Sequence, residues 1–299
     1  MKRYIFLAFL VAAITTNGFA QQLQTSSLYD MQGVLHNPSM VGAEPKTTIG
    51  ITYRSQWSGI SGAPKTATVF GSFDMPKHNI ALGGYLYNDQ TGPTSRTGLQ
   101  LAFAKYIPLQ NDARLSFGIE TRFQQYSLDR EKLMQAIGSD PAISGGDNQF
   151  KFDAGFGISY TGKKLQLGAS VSQLAQSKLN FYSGNLSRTE EARLYRHYYF
   201  HGRYNWDVDQ TVTIVPHFLM IYLPNAPVEF QAGARLEYEK LFWFSAGFRI
   251  NQGAMLSAGL HINKKFTIGY AFDIYKAPAS VFNNGGYSHE LILRYDFVK

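Results

Sequence analysis

The histidines are the side chains of this sequence best suited to bind a metal or transfer a proton. There are seven of them, and there is no cysteine. His197 and His201 are four residues apart, and on a helix this spacing would place both imidazoles on one face, as in metalloprotease sites. Such a site also needs a general base and a third ligand, whereas the residues between are Tyr198, Tyr199 and Phe200, a run typical of a strand. We therefore interpret both histidines as polar or membrane-interface positions and predict no metal site.

Nucleophilic or cofactor-dependent chemistry has equally little support. A hydrolase needs a nucleophile, a base and an orienting group close in space, and His217 and His261 have no evident serine or aspartate partner. The pieces Gly92-Pro93 and Asn284-Gly285-Gly286 lack the lysine and following helix of a phosphate-binding loop, so they indicate turns. The sequence thus predicts a protein that is not an enzyme and holds no cofactor.

The elements that would position these side chains are strands with two unlike faces. From Phe150 to Tyr160 every second residue is Phe, Ala, Ile or Tyr, and the residues between are Lys151, Asp153, two glycines and a serine. Successive side chains of a strand point to opposite faces, so this segment has one apolar and one polar face. Segments of about ten residues with this alternation are typical of transmembrane β-barrels.

The pattern recurs along most of the chain and predicts an all-β fold, a single transmembrane antiparallel β-barrel of about 14 strands. With both termini in the periplasm, the three longest connections (128–149, 175–194 and 276–287) all lie on the outer side, as expected for an outer-membrane barrel. The predicted strands are 47–55, 66–74, 80–88, 96–107, 113–127, 150–160, 164–174, 195–205, 210–222, 228–238, 241–250, 254–262, 265–275 and 288–298.

The N-terminus predicts export from the cytoplasm. Two basic residues precede an apolar run from Tyr4 to Ile14, and a small-x-small site ends at Ala20, as in a secretory signal peptide. The apolar run is shorter than the roughly 20 residues that span a bilayer. We divide the chain into a cleaved signal peptide (1–20), a short N-terminal periplasmic or lumenal segment (21–46) and an outer-membrane β-barrel (47–299).

The last predicted strand carries aromatic residues on its apolar face. Tyr295 and Phe297 stand there, close to the C-terminus. Outer-membrane barrels have aromatic girdles at both membrane interfaces, where the wall meets the outer-membrane lipid. We predict that these two residues are the assembly signal of the barrel.

The charges of the chain argue against one class of partner. The formal net charge is +7, without a basic run or an RNA-binding motif, so nucleic-acid binding is not predicted. The predicted inward faces carry charges of both signs, which indicates paired charges in a lumen or, alternatively, a polar groove for a peptide.

Several irregular segments resemble one protein family. Together they are similar to the PorP/SprF family of Bacteroidota outer-membrane proteins, from about Tyr29 to Phe297. The segments are Asn37-Pro38 followed by Gly42-Ala43, Arg54-Ser55-Gln56-Trp57-Ser58-Gly59, Gly62-Ala63-Pro64-Lys65-Thr66, Gly92-Pro93-Thr94-Ser95-Arg96-Thr97-Gly98, Arg196-His197-Tyr198-Tyr199 and Ser288-His289-Glu290-Leu291-Ile292-Leu293-Arg294-Tyr295-Asp296-Phe297.

The resemblance implies an outer-membrane component of the type IX secretion system. Such a component assists export and surface attachment of secreted adhesins, including those used in gliding motility. It also implies two kinds of partner, namely the periplasmic ring lipoproteins of that system and the C-terminal domain of the secreted adhesin.

Two predicted outer connections contain residues that a barrel wall does not require. Ordered loops with aromatic, proline and arginine side chains can anchor a partner, because such groups dominate binding energies. The alternative is that these loops only cap the barrel. The candidate partner-binding residues are Arg54, Trp57, Pro64, Lys65, Pro93 and Arg96.

A second class of function is a passive porin or a FadL-like solute transport barrel. A pore needs an open lumen, whereas a secretion scaffold can be closed. The position of residues 21–46 distinguishes the two, since a segment that fills the lumen lowers passive conductance.

Overall fold

Antiparallel strands form most of the chain. The computed structural model describes residues 25–137, 148–179, 193–224, 226–276 and 286–297. The strands are β1 Thr47–Ser55, β2 Lys65–Met75, β3 Ile80–Thr91, β4 Thr94–Pro108, β5 Arg114–Leu128, β6 Asn148–Thr161, β7 Leu165–Ser172, β8 His197–Tyr204, β9 Trp206–Asp207, β10 Val212–Tyr222, β11 Glu229–Tyr238, β12 Phe242–Arg249, β13 Gly253–Ile262, β14 Phe266–Tyr275 and β15 Tyr287–Phe297.

The strands close into a barrel. Each long strand pairs with its sequence neighbours, β8 pairs with β10, and β1 pairs with β15 from Thr47 opposite Phe297 to Ser55 opposite His289. The prediction of an antiparallel barrel of about 14 strands is confirmed. The fifteenth strand, β9, is a two-residue extension at a place predicted as a turn, where Trp206 pairs with Ile214 on β10.

Parts of the predicted topology lie outside the described residues. These are the signal peptide (1–20) and residues 138–147, 180–192 and 277–285 of the three long connections. Cleavage after Ala20 and the orientation of the barrel therefore stay predictions. Under that orientation β1 starts at the periplasmic end, and we call the opposite end of the barrel the outer end. A short helix, α1 Arg130–Ile137, follows β5 at the outer end.

The two faces of the wall follow the sequence alternation. Phe152 and Phe156 on β6 are 52% and 43% exposed, whereas Asp153 between them is completely buried. The short turns at the periplasmic end also follow local chemistry. Glu239-Lys240 and Asn263-Lys264 both have two consecutive residues with φ between 51° and 58°, as type I′ hairpins require.

Thr25–Lys46, hereafter the lumen segment, lies inside the barrel. It forms the short 3₁₀ helices Tyr29–Met31, Gly33–Leu35 and Pro38–Gly42. Pro38 and the glycines interrupt any regular strand pattern, which explains the missing alternation. The segment starts near the outer end, where Ser27 contacts strands β14 and β15, and leads at the periplasmic end into β1.

The middle of the barrel interior is apolar. Leu28, Val34 and Val41 of the lumen segment belong to one buried cluster that also contains Phe70 and Trp243 from the wall, as well as Tyr85, Tyr87 and Ile292. The barrel therefore has a packed core inside and not only a polar lining. No helix in the described part of the chain is long and apolar enough to cross a membrane.

Candidate functional site

Asn37 fixes the middle of the lumen segment to the wall. Its buried side chain donates from Nδ2 to the carbonyl oxygens of Ile158 (3.2 Å) and Ala169 (3.4 Å), and Nδ2 lies 2.9 Å from His201 Nε2. Its Oδ1 accepts the backbone N–H of Ser39 at 3.0 Å and so caps the 3₁₀ helix that follows. A buried amide with both of its groups bonded gives the segment a defined position.

Glycines of the wall make room for this contact. Gly118 on β5 and Gly157 on β6 are directly opposite each other. A Cβ at Gly118 would lie closer than 3.0 Å to the Ser39 backbone, and one at Gly157 would lie equally close to the Asn37 side chain. Gly168 on β7 is similar, with 2.7 Å between a Cβ and Asn37 Nδ2. The wall is therefore shaped to the segment that it encloses.

A buried charge cluster holds the outer end of the segment. Arg54 Nη1 lies 2.9 Å from Glu290 Oε2, and Arg54 Nη2 lies 2.5 Å from Asp273 Oδ2. Ser27 donates its backbone N–H to Glu290 (2.8 Å) and its hydroxyl to Asp273 (2.7 Å), and Ser26 donates its hydroxyl to Glu290. The three charged residues are at most 4% exposed, so each depends on the others for compensation.

A second set of ion pairs holds the periplasmic end. Glu44 pairs with Arg203 on β8 and with Lys46, at 2.7 Å from Nζ. Lys46 Nζ also lies 3.1 Å from Asp296 on β15. Further along, Asp30 pairs with Arg235 on β11. Several of the predicted inward charges of both signs are thus paired with one another or with the lumen segment.

The lumen is occupied along its length. The 3₁₀ helix Pro38–Gly42 contacts β2 to β6, Gly33–Leu35 contacts β2 and β3, and Tyr29–Met31 contacts β10. Together with the two charge clusters, these contacts surround the segment. The described part of the segment therefore occupies the interior of the barrel.

Three of the candidate partner-binding residues lie in strands. Arg54 is in β1 and Arg96 is in β4, where it pairs at 3.5 Å with Asp89, and both side chains point into the barrel. Lys65 is the first residue of β2 and is exposed. Arg54 and Arg96 lie within the predicted strands 47–55 and 96–107, whereas Lys65 was predicted in a connection and joins β2 because the ladder continues to Ser55, opposite Lys65. A role in partner binding stays a prediction.

The other three residues lie in the two connections, and two of them line one cavity together with Arg96. Trp57 and Pro64 line the same outer cavity as Arg96, whereas Pro93 is in the tight turn between β3 and β4. The cavity measures about 360 Å³ and opens above the lumen segment. Its lining includes Thr25, Trp57, Pro64, Asp89, Arg96 and Tyr126.

Trp57 has an unusual backbone. Its φ is 51°, a left-handed value that is a genuine outlier for a bulky residue. The residue is held by its backbone N–H, which donates to Ser288 Oγ at 3.2 Å, and by an edge-to-face contact with Tyr275. Its indole Nε1–H is buried and has no acceptor among the described residues.

Two of the histidines of the wall, His201 and His217, contact the lumen segment. His201 contacts Asn37, and the His217 Nδ1 atom lies 2.7 Å from the Tyr29 hydroxyl. Sequence reasoning missed a serine near His217: Ser245 Oγ on β12 lies 3.4 Å from His217 Nε2. The two residues can approach because Gly233, opposite His217 on the strand between them, has no side chain. Among the described residues no group of three or more His, Asp or Glu side chains could hold a metal ion.

The predicted assembly residues lie on the outward side of β15. Phe297 is 52% exposed, and its ring meets that of Tyr295 edge to face with 4.8 Å between centroids. They belong to the strand that closes the barrel against β1. Their part in assembly stays a prediction.

Solved structures with the same fold are outer-membrane barrels. The Ralstonia pickettii toluene transporter TbuX aligns with a TM-score of 0.54 at 11% identity, over 88% of this chain and 92% of that one. The CymD monoaromatic hydrocarbon channel aligns with a TM-score of 0.50 at 11% identity, over 93% of this chain and 94% of that one. Identities this low show the fold alone. No curated protein matches the sequence.

One family model matches nearly the whole chain. It is described as type IX secretion system membrane protein PorP/SprF, and it covers residues 17–295. The match includes the lumen segment, the outer connections and the closing strand. This chain belongs to the PorP/SprF family of type IX secretion system membrane proteins.

Proposed function

We propose that this protein is a closed outer-membrane scaffold of the type IX secretion system, which assists export and surface attachment of secreted adhesins by binding. The supporting observation is the lumen segment, which is seated against wall glycines. It is hydrogen-bonded to a buried charge cluster at its outer end and ion-paired to the wall at its periplasmic end. With the interior occupied, partners bind at the rims. The C-terminal domain of an adhesin binds at the outer end, the ring lipoproteins bind at the periplasmic end, and gliding adhesins are among the cargo.

Passive transport is the second candidate, as a porin or a FadL-like barrel. TbuX is a toluene transporter and CymD is a hydrocarbon channel, but the likeness concerns the fold alone. A solute path through this barrel would have to displace Asn37 and the buried cluster around Arg54. The occupied lumen therefore favours the scaffold.

The test compares strains that display a type IX adhesin. In a strain without this protein, we expect surface immunolabelling of the adhesin to be lost and to return with the intact gene, at equal abundance of other outer-membrane proteins. Normal labelling in the deletion strain would refute the proposal.

Conductance provides the second arm of the test. The purified barrel in planar bilayers should pass little current, because the lumen segment blocks it. A steady porin-like conductance of the intact protein would favour the transport candidate instead.

A further inference from the structure

We propose that the outer cavity binds a carboxylate-bearing peptide segment, and that Trp57 and Arg96 hold the carboxylate. The inference rests on the proposed function for the choice of a peptide over other carboxylates, because an exported protein delivers peptide to the outer end. It goes further by naming the site, the group recognised and the two donors.

The wall of the cavity is a row of polar side chains across four neighbouring strands. Thr66 on β2 is opposite Asp89 on β3, Asp89 is opposite Arg96 on β4, and Arg96 is opposite Tyr126 on β5. Thr66 donates to Asp89 at 2.6 Å, and Arg96 lies over the ring of Tyr87 at 5.4 Å. Strand pairing therefore fixes the backbone of Arg96, and the contact with Tyr87 helps to position its guanidinium. A binding group that is held in this way is preorganised.

Two buried donors in this cavity have no acceptor among the described residues. They are Nε1–H of Trp57 and Nε–H of Arg96. A buried donor without a partner costs roughly 1–3 kcal/mol, and most such groups in folded proteins find a partner. Both residues line the cavity. A carboxylate has two oxygens and can accept from both donors at once.

The strained backbone of Trp57 also supports the proposal. A non-glycine residue with left-handed φ costs of order 1–3 kcal/mol and persists only where the surroundings impose it, often at ligand sites. Here the contacts with Ser288 and Tyr275 impose it. The strained turn places an indole, which is a frequent binding hot spot, at the edge of the cavity.

The acidic group beside Arg96 is compatible with an anionic ligand. Asp89 contacts the guanidinium through one long contact of 3.5 Å and accepts a hydroxyl hydrogen bond from Thr66. The barrel already contains one arginine that serves two carboxylates, since Arg54 pairs with both Asp273 and Glu290. Arg96 with Asp89 and a ligand carboxylate would repeat that arrangement.

The size and lining of the cavity favour a peptide over a small inorganic anion. A volume of about 360 Å³ is in the range of small-molecule sites, and Trp57, Pro64 and Leu179 add apolar surface beside the polar row. An extended segment of a few residues offers a carboxylate together with apolar groups. The carboxylate is supplied either by a free C-terminus or by an Asp or Glu side chain.

The experiment presents three pooled libraries of N-acetylated hexapeptides to the full-length protein in lipid nanodiscs. The first has free C-termini but no Asp or Glu, the second is amidated and contains Asp and Glu, and the third is amidated without acidic residues. Retained peptides are identified by mass spectrometry, and their Kd values are measured. We expect retention from the first or the second library, which identifies the source of the carboxylate, and none from the third.

Variants test the two donors. Trp57→Phe keeps a ring but removes the N–H, and Arg96→Lys keeps the charge but removes Nε–H. Each should weaken binding about 10- to 100-fold, the range expected when one hydrogen bond to a charged group is lost. The matched controls are Trp206→Phe, at an exposed tryptophan of the other end, and Lys132→Ala, at an exposed lysine of α1 that does not line the cavity. Both controls should bind as the unaltered protein does.

Three outcomes would overturn the inference. They are no retention from any library, equal retention from the third library, and unchanged binding by both donor variants. Failure of the proposed function is a separate result. If adhesin display survives deletion of the gene, that function fails whatever the peptides do, whereas lost display without peptide retention refutes only this site.

Discussion

Replacing Arg54 should open the barrel from its outer end. In Arg54→Met, Glu290 becomes a buried carboxylate without its cation, and Asp273 keeps only the long contact of 3.9 Å with Arg249 Nη1. Ser26 and Ser27 remain attached to this unstable pair of carboxylates. Removing one partner from a buried ion pair costs about 3–5 kcal/mol. The simplest relief is hydration of the carboxylates as the outer part of the lumen segment leaves its place.

The magnitude sets what should be seen. A shift of about 3 kcal/mol changes the ratio of open to closed barrels by roughly two orders of magnitude. It is also a large part of the roughly 5–15 kcal/mol by which typical domains are stable. We expect frequent openings in single-channel recordings and a lower urea midpoint of unfolding, with the barrel still in the outer membrane.

A neutral cluster is the control. Combining Arg54→Met with Asp273→Asn and Glu290→Gln removes these three charges and leaves Arg249 as the charged neighbour. Replacing a buried ion cluster as a whole is often tolerated, whereas removing one partner is not. The triple variant should be closer to the unaltered protein than the single variant in both assays. If Arg54→Met conducts and unfolds like the unaltered protein, the cluster does not hold the segment and the reasoning is wrong.

Three further predictions concern the wall and its assembly. Gly157→Ala should lower the yield of folded, heat-modifiable barrel, because its Cβ meets Asn37, and adding Asn37→Gly should restore the yield; no rescue would contradict the fit between wall and segment. Phe156→Arg should cost about 2–4 kcal/mol on the lipid face and reduce folded yield in vesicles, whereas Phe156→Leu should not; equal yields would show that this face does not meet lipid. Replacing Tyr295 and Phe297 together by Asp should abolish outer-membrane insertion, measured by fractionation and heat modifiability, and normal levels of inserted barrel would disprove the assembly role.

The wall of the barrel could be predicted because strand alternation is a local property. Each of the 14 wall strands was expected from the period-2 pattern, within a few residues of its bounds. The extra strand β9 was missed because Trp206 and Asp207 are too few to show any period. Glycines at inward positions such as Gly118 and Gly157 were visible as bare places, but the sequence alone did not show that Asn37 and Ser39 fill them.

The interior could not be predicted in this way, because its contacts join distant parts of the chain. Arg54 meets Asp273 and Glu290, which are 219 and 236 residues away, and no local pattern pairs them. Trp243 is completely buried inside the barrel although charged and polar residues dominate the inward positions. The convergence of Trp57 and Arg96 on one cavity likewise depends on the register of four strands, which only the closed barrel fixes.

The strand made last holds both ends of the segment made first. Glu290, which binds Ser26 and Ser27, and Asp296, which binds Lys46, both belong to β15. Until β15 docks against β1, the lumen segment lacks one of its partners at each end of the barrel. Pairing of β15 with β1 therefore both closes the barrel and completes the anchoring of the lumen segment. A chain truncated before β15 would lose both the closure of the barrel wall and these two anchors of the lumen segment.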